Sequence, residues 1–219
     1  MDDLAPWRPA DRAGAPGHFP AADKVLPLPE AIRRFVPPGS TVAIGTCLEQ
    51  MIPFAATHEL IRAKIGDLTL VGPVSDICFD QLIGAGLASR VLAAWVGNVM
   101  MGSAYCFRRA AERGRPRPLE VVDFSNFTLA LALHAAAIGA PFIPTRSALG
   151  TDWVERNPLL RAVENPLGDG PVLAVAPLNP DVAIVHAQRA DPHGNAAMWG
   201  SLGITPDAAR AARAVIVTA

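Results

Sequence analysis

Short polar clusters follow several apolar runs of this chain and could hold an anionic or carbonyl oxygen. They are Gly45-Thr46, Ser75-Asp76, Gly97-Asn98, Ser125-Asn126 and Thr145-Arg146. Backbone amides at helix N-termini, with hydroxyl and amide side chains beside them, suit such a ligand. A single cluster of this kind is more often only a helix cap, because Ser, Thr and Asn are preferred N-cap residues. Five clusters on one edge of a sheet would favour a ligand site.

Alternating strands and helices are expected to bring these clusters together. The predicted strands span residues 40–45, 68–71, 90–96, 119–122, 142–144, 172–175, 182–188 and 215–218. The predicted helices span residues 30–35, 54–64, 77–85, 103–113, 127–138 and 208–213. This alternation is typical of βαβ units and predicts an α/β fold, with a mostly parallel, Rossmann-like sheet sandwiched by helices. In such a sheet the ligand crevice lies outside the carboxyl ends of the strands.

The domain organisation is predicted to be simple. Residues 1–22 are rich in Pro, Ala, Gly and charge, which is typical of a flexible tail. Residues 23–219 are predicted to form a single α/β domain. Within it, residues 147–170 contain scattered Gly, Asp, Asn and Pro and are expected to be an irregular excursion over the crevice. The chain stops on a core-like strand, so we expect either a domain that ends early or a partner chain that completes it.

Composition narrows the possible partners. The formal net charge is −1 and no basic cluster occurs, which argues against a nucleic-acid or membrane-surface partner. No apolar run approaches the roughly 20 residues of a membrane span. The three cysteines form no metal-binding spacing and are odd in number, which favours a reduced, cytoplasmic location.

Individual candidates for catalysis or metal binding are weak. Glu49 could act as nucleophile or base, but a first-turn glutamate more often only faces the helix dipole. Asp76 and Asp80 could bind a metal, but two carboxylates without a histidine are poor support, and no metal is predicted. The run Asp191–Asn195 has the chemistry of a turn. The sequence contains no GxSxG, Walker, GxGxxG or CxxC motif, so the hydrolase-triad, nucleotide and metal interpretations lack support.

Five segments are informative in combination. In chain order they read GSTVAIGTCLEQMIPFA, GPVSDICFDQLIGAG, VGNVMMGSAYCFRRA, LEVVDFSNFTLALALHAAAIGAPFIPTRSALGTD and PDVAIVHAQRADPHGNAAMWG. Together they resemble the α subunit of class I coenzyme A transferases, in particular the glutaconate CoA-transferase-like branch. The likeness covers about residues 24–218.

The resemblance implies an enzyme of α and β subunits with related α/β folds, usually an α2β2 assembly. Such enzymes move CoA between carboxylic acids through a glutamyl-CoA thioester, so acyl-CoA and a carboxylic acid are substrates and no tightly bound cofactor is expected. The nucleophilic glutamate lies on the β subunit, so this chain is expected to carry no catalytic residue. Donors on the protein would hold the oxyanion that forms.

The resemblance also assigns a substrate- and CoA-binding set. It comprises Gly45, Thr46, Ser75, Asp76, Gly97, Asn98, Ser103, Ser125 and Asn126. The loop Gly45–Pro53 matches the glycine-rich loop of the family but is poorer in glycine. Asn126 falls where ketoacid-type transferases have glutamine and ring-opening CoA-thioester hydrolases have glutamate. Asparagine cannot act as a base, so this position favours a binding role.

Two alternatives remain open at this point. One is a subunit of a CoA-thioester or ring-opening hydrolase, which would share the acyl site. The other is a non-catalytic module of the same fold that binds a small phosphorylated ligand without any partner chain. The apolar residues Met100, Met101, Phe127 and Trp153 predict a larger or aromatic acyl group.

Overall fold

The computed structural model describes residues 23–47, 50–75, 77–97 and 102–219. The predicted tail at residues 1–22 lies outside the described residues. The strands are β1 Thr41–Ile44, β2 Leu68–Val71, β3 Val74–Ser75, β4 Ala88–Ala93, β5 Trp95–Val96, β6 Glu120–Asp123, β7 Ile143–Thr145, β8 Leu160–Glu164, β9 Pro171–Val175, β10 Val182–His186, β11 Arg189–Ala190, β12 Ala196–Ala197 and β13 Ala214–Thr218. The helices are α1 Leu28–Phe35, α2 Phe54–Arg62, α3 Ile77–Gly84, α4 Tyr105–Arg113, α5 Asn126–Ile138, α6 Trp153–Arg156 and α7 Thr205–Ala211.

A six-stranded sheet in the order β13-β10-β1-β2-β4-β6 organises the fold. Every neighbouring pair in it is parallel. Val42 of β1, for example, pairs with Val182 of β10 on one side and with Leu70 of β2 on the other. The predicted mostly parallel α/β sheet is therefore confirmed, and β1 lies near its centre.

Both faces of this sheet are buried, which explains why its strands read as nearly continuous apolar runs. Val42 and Ile44 belong to the core on the face covered by helices α1 to α4. Ala43, between them, belongs to the core on the opposite face, which α5, α7 and a second sheet cover. All three side chains are fully buried, as the alternation of side chains along a strand requires.

The second sheet corrects two predictions. It has three antiparallel strands in the order β7-β9-β8. Residues 147–170 are therefore not an irregular excursion, because they contain α6 and β8. The short, charged run of β8 has little strand character of its own, and its pairing with β9 supplies the missing stabilisation. Thr145–Arg146 does not lie at the edge of the parallel sheet, since Thr145 ends β7 in this separate sheet.

Two smaller differences concern the crevice side of the parallel sheet. The strand predicted at residues 90–96 divides at Ala94 into β4 and β5, and β5 pairs in parallel with β3 in a two-stranded sheet of its own. Helix α4 begins at Tyr105, so Ser103 precedes the helix instead of starting it. Glycines in the left-handed conformation end α4 and α5, Gly114 with φ 63° and Gly139 with φ 70°, as is common at helix C-termini. No helix in the described part of the chain is long and apolar enough to cross a membrane.

Candidate functional site

The carboxyl ends of the parallel strands bring four of the five predicted clusters to one edge of the sheet. Gly45-Thr46 follows β1, Ser75 ends β3 beyond β2, Gly97 follows β5 beyond β4, and Ser125-Asn126 follows β6. Because β1, β2, β4 and β6 are successive neighbours in the sheet, these loops are also neighbours. Asp76, Asn98 and the candidate nucleophile Glu49 lie outside the described residues.

The pairing of β3 with β5 connects two of the predicted site residues. The Gly97 backbone N–H donates a hydrogen bond of 2.9 Å to the carbonyl oxygen of Ser75. The Ser75 side chain is completely buried, and its hydroxyl donates to the carbonyl oxygen of Gly72 at 3.2 Å. The Ser75 hydroxyl therefore stabilises the turn that follows β2.

An open cavity of about 760 Å³ adjoins this strand pair and the start of α4. We call it the open cavity; its lining residues are Val74, Trp95, Val96, Gly97, Gly102, Ser103, Ala104, Phe107 and Arg108. Of the predicted site residues, Gly97 and Ser103 meet in this lining. Gly45, Thr46, Ser125 and Asn126 are not among the described lining residues.

The wall of the open cavity combines apolar surface with one cation. Val74, Val96 and Phe107 are partly buried, and the Trp95 side chain is 45% exposed. Arg108 donates from Nε to Glu112 at 3.2 Å, and both side chains of this ion pair are exposed. A surface pair of this kind contributes little to stability, so Arg108 can exchange Glu112 for an anion at small cost.

In the loop after β1, by contrast, the polar groups are buried and hydrogen-bonded within the chain. We call residues Gly45–Cys47 the clamped loop and residues 201–205 the clamp segment. The Thr46 hydroxyl lies 2.7 Å from the Thr205 hydroxyl, and both residues are buried. The clamp segment also donates from the Ile204 backbone N–H to the Thr46 carbonyl oxygen at 3.1 Å. Thr46 is thus a buried, hydrogen-bonded residue whose hydroxyl already has a partner.

The start of α5 shows how a cap and an exposed amide can be adjacent. Ser125 is the N-cap of α5, and its hydroxyl accepts from the Thr128 backbone N–H at 3.0 Å. The Thr128 hydroxyl accepts from the Ser125 backbone N–H at 3.0 Å, which completes a capping box. Asn126, the first residue of α5, is exposed, and so is Phe127 beside it. Asn126 is therefore accessible to a ligand, whereas the Ser125 hydroxyl is used in the cap.

Two ionisable side chains near these regions have shifted pKa values. Burial, reinforced by the charge of Asp80, raises the pKa of the Cys106 thiol above its usual value. Asp80 also accepts from the Phe107 backbone N–H at 2.8 Å, which ties the first turn of α4 to α3. The hydrogen bond donated by the Asn195 side chain lowers the pKa of Asp191, in the turn between β11 and β12. Among the described residues, no group of three His, Cys, Asp or Glu side chains is arranged to bind a metal.

Several residues of these regions could not be found from the sequence. Thr205 contacts Thr46 across a separation of 159 residues, and no local sequence pattern predicts such a contact. Trp95 has the sequence context of a buried strand, yet the break at Ala94 places it in the cavity lining. Arg108 lies in the predicted helix at residues 103–113, but only the position of β5 shows which cavity it borders.

Comparisons with known proteins agree with the α/β fold. A family model described as coenzyme A transferase matches residues 26–219. The A subunit of the 3-oxoadipate CoA-transferase of Pseudomonas knackmussii is 41% identical over 89% of this chain and 69% of its own length. The A subunit of the glutaconate CoA-transferase of Acidaminococcus fermentans is 32% identical over 89% of this chain and 65% of its own length. The crystal structure of that transferase matches with a TM-score of 0.80 and 29% identity, over 89% of this chain and 68% of that one.

Another relative carries a different activity in its name. The cholesterol ring-cleaving hydrolase IpdA subunit of Rhodococcus jostii is 32% identical over 81% of this chain and 61% of its own length. The chain thus spans between 61% and 69% of the lengths of these relatives.

Proposed function

The chain belongs to the coenzyme A transferase family, and on that premise we propose that it is the α subunit of an acyl-CoA:carboxylate CoA-transferase. In this proposal it binds the acyl group and part of the CoA thioester, and a β subunit supplies the glutamate nucleophile. The open cavity is the observation that carries the proposal. Its described wall offers the Ser103 hydroxyl and the Arg108 guanidinium as donors and includes no carboxylate. Such a wall suits binding of an acyl anion, with the nucleophile supplied in trans.

The proposed reaction proceeds through bonds to the partner's glutamate. Its carboxylate attacks the thioester carbonyl carbon, a C–O bond forms, the C–S bond breaks, and CoA leaves as thiolate. The thiolate then attacks the glutamyl carbonyl of the resulting anhydride, which releases the first acid and forms glutamyl-CoA. The acceptor acid takes CoA by the reverse sequence. Each attack creates an oxyanion, so donors at the strand ends are required.

The size and lining of the open cavity also favour a class of acyl group. A volume of about 760 Å³ lies within the range of small-molecule sites. Its apolar wall would contact a carbon chain, and Arg108 would bind a carboxylate at the far end of that chain. The acids in the names of two relatives, 3-oxoadipate and glutaconate, both carry two carboxyl groups. We therefore infer that the substrate is the CoA thioester of a dicarboxylic acid.

Asn126 is a second residue that the proposal places in contact with the substrate. It is exposed at the first position of α5, on the same edge of the sheet as the open cavity. Its amide can donate to a carbonyl or carboxylate oxygen, but it cannot remove a proton from water. The proposal therefore assigns Asn126 a binding role and favours transfer over hydrolysis. Asp76 and Asn98, outside the described residues, remain predicted acyl-site residues.

Product analysis tests the proposal and separates it from its alternative. The chain is purified with a β-type subunit from the same organism and incubated with a dicarboxylyl-CoA and a second acid, and the thioesters are identified by mass spectrometry. Transfer produces a new acyl-CoA of the second acid, a CoA-thioester hydrolase produces free CoA and the free acid, and a ring-opening hydrolase adds water to the acyl group and retains the thioester. Transfer by this chain without the β-type subunit would contradict the assignment of the nucleophile to the partner.

A further inference from the structure

We propose that Ser201, Gly203 and Thr205 are positioning residues that fix the backbone of the clamped loop beside the bound thioester. The inference rests on the proposed function, because it assigns these residues to the same site. It also changes the expected role of Thr46. The Thr46 hydroxyl shapes the loop, and what the loop can offer a ligand is its backbone.

The hydroxyl pair is the first support. Thr46 is 5% exposed and Thr205 is 3% exposed, and their hydroxyl oxygens lie 2.7 Å apart. A buried hydroxyl without water requires a partner inside the protein, and each of these supplies the other. Removal of one hydroxyl would leave the other buried and unsatisfied, which costs more than the pair contributes. The pair therefore holds the loop and the clamp segment in one arrangement.

The second support is the close approach of the Gly203 backbone to Thr46 and Cys47 of the clamped loop. Its φ is +53°, and a Cβ atom there would overlap the Thr46 carbonyl oxygen and lie 2.9 Å from Cys47 Cα. Only glycine permits both the left-handed backbone and this contact. The approach allows the next residue, Ile204, to donate its N–H to the same Thr46 carbonyl at 3.1 Å.

A third contact extends the clamp by one residue. The buried Cys47 thiol lies 2.8 Å from the carbonyl oxygen of Ser201, to which it donates. Consecutive loop residues are thus held through a side-chain hydroxyl, a carbonyl oxygen and a thiol. The clamp segment itself is anchored, because it continues directly into α7, whose Ala208 and Ala211 are buried in the core beside α5.

The place of the clamped loop connects this geometry to the site. The loop follows β1, which has β10 on one side and β2 on the other. Backbone groups at the carboxyl end of such a central strand border the ligand crevice of a parallel sheet. Small displacements of positioning groups reduce reaction rates strongly, because a reacting geometry tolerates little error. Loosening the clamp is therefore expected to reduce turnover more than it reduces stability.

Two matched pairs of variants test the inference in the complex with the β-type subunit. Thr205→Val removes one clamp hydroxyl, and Thr57→Val is its control because Thr57 is also a fully buried, hydrogen-bonded threonine, but on α2. Gly203→Ala blocks the close approach. Gly170→Ala is its control, because Gly170 has a similar φ of +77° but open space around its Cβ position. Thr205→Ser keeps the hydroxyl and serves as the rescue variant.

We expect Thr205→Val and Gly203→Ala to lower kcat/KM roughly tenfold or more beyond their controls, mainly through kcat. Thr205→Ser should stay within about twofold of the unmodified complex, since the hydrogen bond is retained. Hydrogen exchange of the peptide covering residues 45–53 should accelerate in both clamp variants and not in the controls. Equal kinetics and exchange in clamp and control variants at matched melting temperature would overturn the inference.

The exchange measurement keeps this inference separate from the proposed function. If the unmodified complex transfers no CoA, the proposed function fails. The exchange rates of residues 45–53, and their protection by added CoA thioester, then test the clamp inference without reference to activity. Faster exchange without any protection by the thioester would show a structural clamp that does not serve the site, which also overturns the inference.

Discussion

The clamped loop and the open cavity both follow strands of the parallel sheet, but their polar groups are used differently. In the clamped loop, the Thr46 hydroxyl and the Cys47 thiol are buried and bound to the clamp segment. In the open cavity, Ser103 and Arg108 are exposed, and Trp95 retains 45% of its accessible surface. The difference arises because a later segment of the chain covers the first region, whereas among the described residues no such segment buries Trp95, Ser103 or Arg108.

The two regions therefore have different roles, although their sequences look alike. A small residue followed by a polar one, after a strand, occurs in both regions, yet one provides the framework and the other provides contact surface. Changes in the framework should therefore disturb loop order or stability, and any fall in turnover follows from that disturbance. Changes in the cavity should appear as lost activity with stability retained.

The largest expected loss of stability is at Gly72, between the two regions. A Cβ atom there would lie 2.7 Å from Ser75 Oγ and 3.0 Å from the Ile44 carbonyl oxygen, both in buried surroundings. We expect Gly72→Ala to lower the free energy of unfolding by about 1–3 kcal/mol, the usual cost of overpacking. Urea unfolding measures this value. Gly66→Ala is the control, because its Cβ would meet nothing within 4 Å; equal effects of the two changes would contradict the close packing.

The largest expected loss of activity without loss of stability is at Arg108. Arg108→Gln removes the cation of the open cavity, and we expect kcat/KM for a dicarboxylyl-CoA to fall about tenfold, or roughly 1.4 kcal/mol. A monocarboxylic acyl-CoA of equal chain length should be affected much less, since it has no distal carboxylate. Arg113→Gln, an exposed change at the end of the same helix, is the control. Equal losses for both substrates would exclude Arg108 as the carboxylate ligand.

The features that the sequence predicted correctly depend on neighbouring residues of the chain. The features that it missed depend on contacts between residues far apart in the chain. β1 and β2 were predicted because buried parallel strands have a local apolar signature. β8 was missed because its pairing with β9, not its own residues, makes it a strand. The division of the predicted strand at residues 90–96 was missed because the break at Ala94 has no signature in the sequence. The Thr46–Thr205 contact could not be predicted, since its partners are distant in the chain and ordinary in their surroundings.

Substitution of Ser125 tests whether its hydroxyl has a structural role or contacts the ligand. Its hydroxyl caps α5, so Ser125→Ala should lower the free energy of unfolding by about 1 kcal/mol and the melting temperature by about 2–4 °C. Ser125→Asn should retain most of that stability, because asparagine is also a good cap. Thermal unfolding and kcat/KM are measured on the same samples. A fall in kcat/KM of about tenfold with stability retained would instead place the Ser125 hydroxyl on the ligand.

The smallest expected effect concerns Asp191, in the turn that precedes the clamp segment. Its carboxylate accepts from the backbone N–H groups of His193 and Asn195, both at 2.9 Å, and from the Asn195 side chain at 2.8 Å. These bonds favour the charged form and lower the pKa of Asp191 below its usual 3.8. The native pKa is then below the unfolded one, so the stabilisation is complete above pH 3.8 and is lost as the pH falls through the lower native value.

The turn should therefore keep its hydrogen bonds throughout neutral and mildly acidic pH. The backbone amide shifts of Asn195 in NMR spectra report the titration of Asp191, and we expect their midpoint below pH 3.8. Asp191→Asn should remove that titration, since the amide does not ionise. A midpoint at or above 3.8 would show that the carboxylate is not held by these bonds. In that case the turn would resemble the open cavity more than the framework, because its polar groups would be accessible instead of satisfied within the chain.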